Sequence, residues 1–181
     1  MKLKSKTLYL AFLGFLFLTV SGCGHSKNSS DELISDSMDA KATIIAKHPK
    51  IAELFSTSQG YAIFPNVGKG AYIIGGASGN GTVYENGRMI GYADLKQVDI
   101  GFQLGGKALI EVLFFQTQTA LEEFKEGSFQ LSGNISAVIL EEGASKEVEF
   151  NNGIAVVTMP KAGAMAGISV GGQRFEFFPS N

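Results

Sequence analysis

GYAIFPNVGKG, from Gly60 to Gly70, followed by AYIIGGASGNGTVYENGRMIGYADL (Ala71–Leu95) and VDIGFQLGGK (Val98–Lys107), decides how this chain folds. Between Gly60 and Gly106 lie 12 of the 23 glycines, with aromatic and β-branched residues between them. Each glycine in a helix interior costs about 1 kcal/mol relative to alanine, so glycine at this density rules out helix. In strands it marks bulges, bends and close backbone approach. The region is therefore predicted to be antiparallel strands joined by tight turns, with the rest of the chain packed against it.

Working outward, Asn86-Gly87 between TVYE and RMIGY predicts a hairpin with a type I′ turn, and Ser78-Gly79-Asn80-Gly81 reads as the turn before it. From Gln97 the chain alternates, with Val98, Ile100, Phe102 and Leu104 on one face. IEVLFF (Ile110–Phe115) continues as a more buried strand. TALEEFK (Thr119–Lys125), stopped by Gly127, predicts a short helix capped by Thr117 or Thr119. ISAVIL, KEVEF, GIAVVTM, GAMAGISV and RFEFF read as further strands, with Asn152-Gly153 as another hairpin turn. Ala162, Gly163, Ala164, Ala166 and Gly167 would leave one strand nearly without bulk, open to close packing or to an apolar ligand.

Toward the N-terminus the composition changes sharply, because no glycine occurs between His25 and Gln59. Ser29 and Glu32 are spaced as a capping box, and Leu33, Ile34, Met38, Ala42 and Ile45 recur at helical spacing. Pro49 ends that helix near His48 and can start a second short one carrying Ile51, Leu54 and Phe55. The predicted fold class is α+β, mostly β: a curled antiparallel sheet or partly closed barrel. The N-terminal helices pack on one side and one short helix is internal.

The first residues carry a different message. Lys2, Lys4 and Lys6 precede an uncharged, largely apolar run of 13 residues, Leu8 to Val20, which fits a signal-peptide core and is too short to span a bilayer. Val20-Ser21-Gly22-Cys23 resembles the lipobox of bacterial lipoproteins. That resemblance implies a signal peptide over residues 1–22, cleavage before Cys23, a diacylglycerol on its sulfur and an acylated amino terminus, palmitate being one chain to look for. Several acyl chains anchor stably where one is marginal. Residues 23–30, polar and small, would be a flexible tether, leaving residues 31–181 as a single domain. The implied location is the bacterial cell envelope, and the outer membrane facing the periplasm if the source has two membranes.

Charge and inventory exclude whole classes. The 181 residues carry a formal charge of −2, and removal of the three leader lysines leaves 12 basic against 17 acidic residues, or −5. A general nucleic-acid binder would show a basic stripe. One cysteine and two histidines cannot assemble a Cys/His zinc site or an intramolecular disulfide, and with the cysteine at position 23 they leave no Cys-His nucleophile in the mature core. GFQLGGKA (Gly101–Ala108) nearly has P-loop spacing, but Ala108 replaces the hydroxyl that holds magnesium. Gly75 to Gly81 misses the dinucleotide spacing. Glu122-Glu123 and Glu141-Glu142 are adjacent and do not face each other. No catalytic, cofactor or metal residue is therefore assigned, and a non-enzymatic protein is expected.

GYAIFPNVGKG, the glycine-rich hairpin, IGYADL, GFQLGGK followed by EVLFF, ALEEFK and MPKAGAMAGISVGGQRF together resemble the SYLF domain family, in the family's order, over roughly Ser35 to Phe178. The resemblance implies lipid binding: eukaryotic members bind phosphoinositide-rich membranes, and bacterial members are often lipoproteins. An actin role belongs to eukaryotic relatives with additional modules and is not carried over. The implied membrane-facing lysines are Lys41 and Lys47 on the first helix and Lys69 in the GKG turn, with Lys107 as a further candidate. Lys41, Lys47 and Lys50 also suit simple compensation of the helix dipole. The expected partner is a phospholipid membrane, with an envelope protein as the alternative.

Overall fold

A computed structural model of the protein describes residues 27–68, 77–97, 108–127, 129–131, 137–140, 147–161 and 172–180. Two helices lead: α1 (Lys27–Lys47) and α2 (Ile51–Thr57). They are followed by β1 (Gly60–Val67), β2 (Ala77–Glu85), β3 (Arg88–Gln97) and β4 (Leu109–Phe115). Helix α3 (Gln118–Lys125) then precedes β5 (Phe129–Gln130), β6 (Ala137–Ile139), β7 (Ile154–Pro160) and β8 (Gln173–Pro179). The strands form one sheet in the order β5-β8-β3-β2-β1-β4-β7-β6. Every pairing is antiparallel except β6 with β7.

The sheet is a curled half-barrel, and two contacts show why. β4 and β8 stand four strands apart, about 19 Å in a flat sheet, yet Gln173 on β8 reaches Glu111 on β4 at 3.1 Å. Likewise the rings of Phe64 on β1 and Phe175 on β8 are 5.5 Å apart. The face carrying these residues is the inside of the curl.

Period-two alternation divides the strands between two cores. Inside lie Phe64, Leu109, Leu113, Phe115, Val156 and Phe175, and α3 plugs one end with Leu121 and Phe124. Outside, α1 and α2 cover β1, β4 and β7 through Ile44, Ile51, Phe55, Ile63, Phe114 and Val157. Thr117 caps α3, its hydroxyl accepting from the amide of Ala120 at 3.2 Å. The fold class expected from the sequence is the one observed, with the two leading helices on the outer face and one helix inside.

Several local expectations are corrected. Ser78 to Gly81 is not a turn but the middle of β2. Its glycines serve packing, since a Cβ on Gly81 would stand 2.5 Å from the Ile63 carbonyl and 2.7 Å from the Phe64 ring. Asn86 (φ 49°) and Gly87 (φ 77°) do form the left-handed pair of the β2–β3 hairpin. Asn152 and Gly153 adopt the same angles (φ 50° and 77°), yet close only an isolated bridge between Asn151 and Ile154. The expected KEVEF strand is absent over Glu147–Phe150, because β7 takes the short parallel β6 as its second neighbour.

At the N-terminal end, α1 starts at Lys27, so residues 27–30 are helical, though expected in the tether, and Ser29 lies within the helix instead of capping it. Its buried stripe is Ser37, Ala40 and Ile44, while Met38, expected on the apolar face, is 57% exposed. GFQLGGK and GAMAGISV lie outside the described residues, as does the leader. Among the described residues no helix is long and apolar enough to cross a membrane.

Candidate functional site

β4 and β7 present opposite chemistry at neighbouring positions. Glu111 and Thr158 are register partners pointing inward, whereas their neighbours Ile110 and Met159, also partners, point outward. Inside the curl, Glu111 and Thr158 meet Gln97 and Gln173, themselves partnered across β3 and β8. All four are buried. The Gln173 amide donates to Glu111 Oε2 at 3.1 Å and to Gln97 Oε1 at 3.5 Å. Among the described residues, Glu111 Oε1, Gln173 Oε1 and Thr158 Oγ1 have no hydrogen-bond partner.

A carboxylate removed from water is penalised in its charged form. Burial accordingly pushes the Glu111 carboxyl up to about 7, against a smaller opposing pull from the Gln173 hydrogen bond. Such a value suits proton transfer only where a substrate can reach the group. Glu111 is 0% exposed and faces away from the outer surface.

On that outer surface, a cavity of about 330 Å³ lies between α1 and the adjoining ends of β4 and β7. Its floor is apolar: Ala40, Ile110, Met159 and Pro160. Its rim is charged: Asp36, Asp39, Lys47 and Lys161, with Thr43 between. Asp39, Thr43 and Lys47 recur every fourth residue and so share one ridge of α1, each step rising about 6 Å. Asn66 links the other side of the rim. Its amide nitrogen donates to Asp36 Oδ2 at 3.3 Å and its oxygen accepts from Lys161. The ion pairs among the described residues are those of Lys125 with Glu85 and Glu122. None of the four rim charges pairs with an opposite charge there.

The lysines singled out in the sequence have separate fates. Lys41 is committed within the fold: its ammonium donates to the Tyr61 hydroxyl at 2.8 Å and sits 4.7 Å from the Phe55 ring centre and 4.6 Å from that of Tyr61. Those rings meet edge to face at 5.0 Å, and Phe114 packs 4.9 Å from Phe55. Lys47 is exposed on the cavity rim. Cys23, Lys69 and Lys107 lie outside the described residues. Of the carboxylate pairs, Glu122 is held below the usual carboxylate range by hydrogen bonds from Lys125 and Gln118, and Glu141-Glu142 lie outside the described residues. Ala108, which closes the P-loop-like string, leads directly into a strand where a phosphate loop would enter a helix.

Asp36, Asp39, Lys161 and Glu111 were not singled out by sequence reasoning. For Glu111 a signal existed, since it is the lone charge in LIEVLFF, a strand buried at every position. The rim depends on α1 meeting the ends of β4 and β7, a juxtaposition of residues far apart in the chain that no local pattern encodes.

Among the described residues no group of three or more His, Cys, Asp or Glu side chains is placed to hold a metal ion. Residues 96–177 match the family model Ysc84, described as Las17-binding protein actin regulator. That match is consistent with a member of the SYLF domain family. It covers Ile110, Glu111, Thr158, Met159, Lys161 and Gln173 and leaves α1 outside. No curated protein matches the chain.

Proposed function

Taking residues 96–177 as a SYLF-family segment, we propose that this chain is a lipid-anchored protein of the bacterial envelope whose domain binds phospholipid without making or breaking bonds. The observation that carries the reading is the outer cavity, where an apolar floor lies beneath a charged rim. That pairing of surfaces matches an amphiphile, with few polar groups to orient it and apolar area to hold it. Cys23 would supply the anchor, the described domain the recognition. Glu111 serves the fold and not a reaction, because its carboxyl lies on the face of β4 opposite the cavity.

The experiment is flotation with vesicles of mixed zwitterionic and anionic phospholipid, using a secreted form in which residues 1–23 are replaced by a cleavable export signal. It should float at low ionic strength and float less as salt rises. A protein that stays with the soluble fraction at every salt concentration would leave Cys23 as the sole membrane contact and remove lipid binding by the domain. In parallel, labelled palmitate should enter the full chain and not its Cys23→Ser variant.

A protein-interaction role is the second reading, favoured by the sheet edges. Among the described residues β5 pairs β8 only at Arg174 and Phe175 and no strand lies beside the outer edge of β8 from Glu176 on, where Phe178 is 41% exposed. Such an edge can accept an added strand.

A further inference from the structure

We propose that the outer cavity selects a zwitterionic phospholipid headgroup, one that carries a phosphate and a primary ammonium two carbons apart. The proposal rests on the phospholipid reading above and names the headgroup that reading leaves open.

The rim has two carboxylates, Asp36 and Asp39, and two ammonium groups, Lys47 and Lys161, around one concavity. Opposite charges gathered this closely would be expected to pair, yet they do not: Lys161 and Asp36 are each held by Asn66, one on its oxygen and one on its nitrogen. Asp39 and Lys47 are separated by the two helical turns that Thr43 divides. The Thr43 hydroxyl is turned back onto the Asp39 carbonyl at 2.7 Å. Thr43 thus forms a neutral spacer with its hydrogen already committed.

An anion alone would meet two carboxylates here, and a cation alone two ammonium groups. A ligand bearing both charges satisfies the rim at each end: its ammonium donates to Asp39, and its phosphate accepts from Lys47 and Lys161. Charge-assisted hydrogen bonds of this kind are short and strong. Beyond the phosphate, the glycerol and the first acyl carbons would lie on Ala40, Ile110, Met159 and Pro160. The volume admits a headgroup and the start of a chain, since about 300 Å³ is the lower bound for small-molecule sites. A zwitterion also accounts for how a domain with an acidic balance approaches phospholipid without repulsion.

The test uses the full chain in a phospholipid-free maltoside detergent. Dihexanoyl phosphatidylethanolamine is titrated while the Met159 methyl resonance is followed. Dihexanoyl phosphatidylglycerol, inorganic phosphate and a peptide of alternating lysine and glutamate serve as comparators. The ethanolamine lipid should saturate the shift at a concentration at least about tenfold below that of the glycerol lipid, the loss expected when one charge-assisted hydrogen bond is missing. Asp39→Asn should abolish that preference while leaving phosphate-dependent binding. Lys47→Gln combined with Lys161→Gln should weaken both lipids about tenfold or more.

Equal affinity for the two lipids, or a preference unchanged in Asp39→Asn, overturns the headgroup assignment and leaves phospholipid binding standing if the protein still floats with vesicles. Saturation by the peptide but not by either lipid assigns the cavity to a protein partner and overturns it too. If neither lipid shifts the resonance and the vesicles float without the protein, the phospholipid reading itself fails.

Discussion

The inside of the curled sheet and its outer surface are built from the same strands, yet they treat charge in opposite ways. At Glu111 a single carboxyl is buried beside Gln173 and Thr158, with one oxygen unpartnered among the described residues and its proton held to about pH 7. One residue away, Ile110 floors a cavity rimmed by four charges, and these keep access to water, so they cost the fold little. The pleat alone separates the two regimes, because successive side chains leave a strand on opposite faces. Stability is thereby concentrated inside and recognition outside, and each can be perturbed separately.

The largest expected effect comes from truncating the interior. Phe124 of α3 packs between Phe115 and Phe175, at ring distances of 4.9 and 5.8 Å. Phe124→Ala should lower the unfolding free energy by about 3–5 kcal/mol, read as a displaced denaturant midpoint for the entire transition. Ile44→Ala, beneath α1 on the outer face, should cost about 2–4 kcal/mol. Much of that loss should appear as early exchange of α1 amides while the strands stay protected. If the two variants lose equal stability in one indivisible transition, the faces form one cooperative unit and the division is wrong.

Next in size is the response to pH. The folded Glu111 carboxyl holds its proton to about 7, against an ordinary value of 4.5, so between those values the native state binds more protons than the unfolded chain. The stabilisation is complete below about pH 4.5 and is lost as pH rises toward 7, with no further loss above it. Over that window the change is roughly 3 kcal/mol. Glu111→Gln should flatten the slope of stability against pH between 4.5 and 7. A wild-type slope that survives in Glu111→Gln would place the proton elsewhere.

How far these regions could be read from the sequence follows from the range of the interactions that make them. The Asn86-Gly87 hairpin, a threonine cap on α3 at Thr117 or Thr119 and the strand IEVLFF each depend on residues within a few positions, and each is legible. Ser78 to Gly81 misled because glycine signals both a turn and a close approach. Only the Phe64 ring lying over Gly81 distinguishes the two. Met38 misled because spacing gives the helical period but not its phase. The phase is set by where β1 and β2 stand beneath α1, which buries Ala40 and Ile44 instead. The cavity rim was the least legible, since Lys47 and Lys161 acquire a common purpose only after the sheet curls and α1 docks.

The smallest effect separates two lysines six residues apart on one helix. Sequence reasoning gave Lys41 and Lys47 the same membrane-facing expectation, while the packing gives them different surroundings. Lys41 is half-buried and lies between Phe55 and Tyr61 with its ammonium on the Tyr61 hydroxyl. Lys41→Met keeps the stem and removes the charge, and should cost about 1–2 kcal/mol, the sum expected of a partly desolvated cation over rings and one hydrogen bond. Lys47→Met, on the open rim, should change stability by less than about 0.5 kcal/mol and weaken vesicle flotation. Measured side by side, the two variants should cross, Lys41→Met losing stability with flotation retained and Lys47→Met the reverse. If Lys41→Met loses flotation at unchanged stability, its ammonium leaves the aromatic cluster to meet the membrane, and the boundary between scaffold and recognition surface must be redrawn through α1.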